Sequence, residues 1–85
     1  MELAALLMRL GRIDEAEAEL VRGALDRSAV GAKLGLFLAM LHDLWQQRPH
    51  AEKVAAAMDQ LCTALPLEPQ VQVLHAQVRS AFGHR

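Results

Sequence analysis

The side chains able to do chemistry are few and scattered. His42 and Asp43 are neighbours, an imidazole beside a carboxylate, and the remaining histidines are His50, His75 and His84. No HxxxH or HExxH spacing sets two ligands on one helical face, so His42-Asp43 reads as a solvated polar pair and no metal ligands are expected. Cys62 is the only thiol. It follows Leu61 in an apolar stripe and reads as a small core residue, because a reactive thiol wants an open, electropositive setting. Glu15, Glu17 and Glu19 crowd the start of a helical run, where the positive end of the helix dipole favours carboxylates that stay in water. No glycine-rich phosphate loop follows a strand, because no strand pattern occurs. The expectation is therefore a chain with no catalytic residues, no metal and no cofactor, and not an enzyme.

Composition narrows what the elements around these residues can be. The 85 residues make one domain at most, and a core of that size is marginal unless something covers the surface left open. Fifteen Ala and fifteen Leu, with no Tyr and one Trp, describe an all-α chain, since residues favoured in strands are scarce. Seven Arg against two Lys, together with the Ala excess, points to a high-GC bacterial source. A net charge of −1 without a basic cluster leaves no electrostatic footprint for nucleic acid or anionic lipid. The N-terminal apolar run from Leu3 to Met8 lacks a basic flank before it and is cut at Arg9, unlike a signal peptide. No segment reaches the roughly 18 apolar residues of a membrane span. A cytoplasmic setting, compatible with an unpaired cysteine, is the expectation.

Hydrophobic period predicts five helices, near residues 2–10, 14–27, 30–46, 50–65 and 70–82. Leu3, Leu6, Leu7 and Leu10 mark one face of the first. Gly11 is placed to close it in the left-handed conformation, and Asp14 to cap the next. Ser28 is the candidate cap of a third helix whose apolar stripe is Leu34, Phe37, Leu38, Leu41, Leu44 and Trp45, ended by Pro49. The fourth carries Val54, Ala57, Met58, Leu61 and Leu65, and the fifth Val71, Leu74, Val78 and Phe82.

A repeat orders these helices. Ala16, Leu20, Gly23, Ala24 and Ser28 have the same spacing as Ala57, Leu61, Ala64, Leu65 and Pro69. That small-large-small pattern resembles the second helix of a tetratricopeptide repeat, and the run Gly11-Arg12-Ile13-Asp14-Glu15-Ala16 is similar to the turn that precedes it in that family. The copies are offset by 41 positions, against about 34 in the family. The extra residues fall between Leu41 and Ala57, enough for about one added turn on each arm of the hairpin. The resemblance implies one domain over 1–85, with repeat 1 about 1–28, repeat 2 about 29–68 with a lengthened hairpin, and a capping helix 69–83. Antiparallel helical hairpins would then stack as a right-handed solenoid with one concave face.

The resemblance also implies a function, binding of an apolar or amphipathic segment of a partner protein or peptide in the concave groove. Carried over position by position, the groove receives Ala5 and Met8 from the first repeat, Ala32, Gly35, Ala39 and His42 from the second, and Val73, Ala76, Gln77 and Ser80 from the cap. Met8, Gly35, Ala39, His42, Ala76 and Ser80 are the expected contacts. The Lys, Asn and Arg with which some members hold a C-terminal carboxylate are absent from these positions. Gly31 and Gly35, one turn apart, equally fit close helix packing. Trp45, at the tip of the lengthened hairpin with the residues up to His50, is a second candidate contact. The apolar fraction of 53% favours self-association, as a homodimer through the first helix, where Leu3, Leu6 and Leu7 lack cover, or through the outer face of the cap. Two alternatives stand beside these: a structural piece of a longer helical-repeat protein, and a small tetratricopeptide-type chaperone of an export substrate.

Overall fold

The computed structural model describes residues 2–47 and 51–82, apart from the side chains of Glu2 and Phe82. Five α-helices carry those residues: α1 (Glu2–Arg9), α2 (Ile13–Leu25), α3 (Gly31–Gln47), α4 (Ala51–Ala64) and α5 (Pro69–Phe82). The all-helical expectation holds among the described residues, and the described helix ends agree with it to within two residues. Pro69 opens α5, where its missing N–H costs no helical hydrogen bond.

The turn after α1 is made as its sequence implies. Gly11 sits at φ +79°, its N–H bonds to the Met8 carbonyl at 3.1 Å, and the Arg12 N–H reaches back to the Leu7 carbonyl at 2.9 Å. This pair of bonds closes the last carbonyls of the helix, and the left-handed residue it requires is cheapest as glycine. A Cβ at Gly11 would meet nothing within 4 Å, so only the backbone conformation penalises a side chain there. Gly11→Ala is therefore expected to destabilise by about 1 kcal/mol, measured by chemical denaturation. A stabilised variant would show that the left-handed turn is not the native conformation.

Two caps differ from expectation. Asp14 lies inside the first turn of α2 rather than at its cap, which falls on Arg12 and carries no side-chain cap bond. The Asp14 carboxylate instead pairs with Lys53 of α4, while Arg12 pairs with Glu15 at 2.8 Å. Ser28 does not cap α3, which starts only at Gly31. Its N–H and Oγ–H both donate to Asp26 Oδ1, at 2.8 and 2.7 Å, forming a local turn that ends α2 two residues early. Those two bonds, the backbone one first, hold the Asp26 carboxyl below its ordinary value of 3.8.

Packing follows from where the large apolar side chains fall. α2 is central: it packs against α1, α3 and α4, while α5 closes the other end against α3 and α4. Leu20 of α2, Leu34 and Leu41 of α3, Leu61 of α4 and Val71 of α5 are fully buried. Consecutive α3 and α4 pack less closely on each other than any of these pairs. Small residues mark a close approach. At Gly23 of α2 an added Cβ would lie 2.6 Å from Phe37 Cζ and 2.9 Å from Cδ1, so the ring of α3 rests directly on the α2 backbone. The chain forms a slab 33 × 31 × 17 Å with a radius of gyration of 11.9 Å, close to the roughly 12 Å of a compact domain of this length.

Candidate functional site

Trp45 is not a tip contact. It is 1% exposed, buried on α3 on the side that faces α2, and its indole N–H donates to Glu17 Oε2 at 2.7 Å. The helical stripe explains this: Trp45 lies one turn beyond Leu41 on the same buried face of α3. Glu17 is accordingly half-buried against α3 rather than a freely solvated acid of the first turn of α2. Residues 48–50, the rest of the expected tip, lie outside the described residues.

Of the expected groove residues, Gly35, Ala39 and His42 come together. They line an open groove of roughly 370 Å³ between α3 and α5, whose other wall is Gln70, Val73, Leu74 and Gln77. Ala76 and Ser80 are exposed and share a helical face with Val73 and Gln77, so they continue the α5 wall without lining its floor. Met8 is half-buried against the core from α1 and does not line this groove. Gly35 gives less room than its size implies. A Cβ there would fall 2.6 Å from Gln70 Oε1, and Gln70 Nε2 donates to the Gly31 carbonyl at 3.0 Å, so α5 already fills that space. The close-packing alternative thus holds at Gly35 but not at Gly31, where a Cβ would meet nothing within 4 Å and the positive φ of +57° is what favours glycine. The open part of the groove is at Ala39, His42 and Val73.

Two further grooves were not anticipated. One, of roughly 500 Å³, runs between α2 and α4 over Ala18, Val21, Leu25 and Ala56. The other, of roughly 400 Å³, separates α4 from α5 and is lined by Ala55, Met58, Asp59 and Cys62 on one side and His75, Val78 and Arg79 on the other. Cys62 is half-buried at this groove rather than enclosed in the core. The signal was present in the sequence: Ala51, Ala55, Met58 and Cys62 form a second stripe at i, i+4, i+7 and i+11, beside the buried one.

The α4–α5 groove carries Asp59, Cys62 and His75 among its lining side chains. Among the described residues no three His, Cys, Asp or Glu side chains converge to hold a metal ion, and no polar or charged side chain is buried. No described helix is long and apolar enough to cross a membrane. No family model matches the chain, and no curated protein or solved structure matches it either.

Proposed function

We propose that this chain is a non-enzymatic interaction module, related in architecture to the tetratricopeptide repeats, that receives an apolar or amphipathic segment of a partner protein between α3 and α5. The observation that carries this reading is the open groove at Ala39, His42, Val73 and Gln77, where Val73 stays 58% exposed. A guest helix with apolar residues at i, i+3 and i+7 would cover both the exposed Val73 and the hollow beside Ala39. Each guest side chain fully buried there would contribute about 1.5–3 kcal/mol. The polar groups His42 and Gln77 at the same groove supply hydrogen-bonding partners for the polar edge of such a helix.

The test separates groove filling from misfolding. Ala39 and Val73 are exposed, so Ala39→Glu and Val73→Asp are expected to keep the helical signal and thermal midpoint. Both are expected to weaken capture of the partner at least about tenfold. A photo-crosslinker at residue 39 should label the same partner that the wild type captures. Capture unchanged in both variants would remove the groove from the function.

A further inference from the structure

A ridge on α1 and a hollow between α4 and α5 are apolar surfaces on helices that do not pack against each other. The first is a ridge: Leu3, Leu6 and Leu10, at i, i+3 and i+7, are 52%, 43% and 59% exposed along α1 and the turn after it. Leu7, expected to share their exposure, is buried against α2 instead. The second is the hollow between α4 and α5, floored by Met58 and Val78 and edged by Ala55 and Cys62. The two cannot meet within one chain, because α1 packs on α2 while the hollow opens between α4 and α5.

We propose that this ridge docks into the α4–α5 hollow of a second copy, so that copies associate head to tail. The dimensions agree. Eight residues of α1 span about 12 Å, and the hollow extends along α4 from Ala51 to Cys62, about 16 Å. The chain already buries an apolar stripe of the same spacing: Val54, Ala57 and Leu61 of α4 are enclosed at i, i+3 and i+7. Charge agrees as well. Arg9 closes α1, Asp59 stands at the hollow, and among the described residues neither is in an ion pair. A guest α1 laid parallel to α4 brings Arg9 toward Asp59. Because ridge and hollow are different surfaces, the contact does not pair a patch with itself, and each added copy leaves one of each open. This association uses neither Ala39 nor His42, so it stands or falls apart from the function proposed above.

Sedimentation velocity of the whole chain over a wide concentration range tests it. The wild type is expected to grow beyond a dimer as concentration rises; a monomer at every concentration would overturn the proposal. Leu6→Glu removes the ridge and Ala55→Glu blocks the hollow, both at exposed positions. Each alone is expected to weaken association at least about tenfold, with unchanged helicity. Mixed in equal amounts, the two should form a dimer that stops there, since one supplies the intact hollow and the other the intact ridge. A mixture that stays monomeric, or a Leu6→Glu variant that associates like the wild type, would overturn it. Should Ala55→Glu fail to fold, Ala51→Arg at the exposed end of the same hollow serves in its place. Ala39→Glu must leave the association unchanged; weakened growth in that variant would place the contact in the other groove.

Discussion

Trp45→Ala is expected to destabilise the protein by about 3–5 kcal/mol, the range for truncating a fully buried aromatic. Domains have about 5–15 kcal/mol in total, and this one is small, so the variant should be substantially unfolded near physiological temperature. Its thermal midpoint, where a transition is still visible, should fall by roughly 15–30 °C. The cause is double. The ring fills buried space on α3, and its N–H satisfies a carboxylate that α2 holds half out of water. Glu17→Ala isolates the second part, leaving a buried donor unpaired at about 1–3 kcal/mol. Glu17→Gln keeps an acceptor and should cost less than Glu17→Ala. A Trp45→Ala variant that melts near the wild type would show that α2 and α3 are not held together at this ring.

Gly23→Val is expected to cost about 2 kcal/mol, although glycine is normally a poor choice inside a helix. Replacing an exposed helical glycine gains up to about 1 kcal/mol of propensity. Here the gain is outweighed, because the new Cβ would enter the ring of Phe37, and overpacking costs about 1–3 kcal/mol or more. A ring turned away from α2 would leave its present buried position, so the clash is not relieved without loss. Phe37→Leu in the same chain should recover part of the stability, giving a coupling of about 0.5–3 kcal/mol in a double-mutant cycle by denaturant unfolding. Strict additivity would mean that residues 23 and 37 do not touch.

These two residues mark how far the sequence could be read. The stripe Leu34, Phe37, Leu38, Leu41, Leu44, Trp45 is periodic, so the burial of Trp45 follows from period alone. Its hydrogen bond to Glu17 joins residues 28 apart and leaves no local trace. Gly23 stood out as a small position in a repeated spacing, but which side chain occupies the space beside it is a tertiary fact. Gly35 went further astray for the same reason. Its room is taken by Gln70, 35 residues away and on another helix. Asp14 and Ser28 have the chemistry of caps, and each found a different partner, Lys53 for one and Asp26 for the other. Helix positions were legible because they depend on neighbours along the chain. The grooves were only half legible, because a groove belongs to two helices at once.

The one-sided seating of α1 has a consequence for the energy landscape. Held closely by α2 alone, this helix can lift away at a cost well below that of global unfolding, leaving α3, α4 and α5 in contact with one another. Any body that binds the seated form opposes that local opening. Order at the amino-terminal end and occupancy of its leucines are thus a single thermodynamic variable, set by the concentration of whatever binds there.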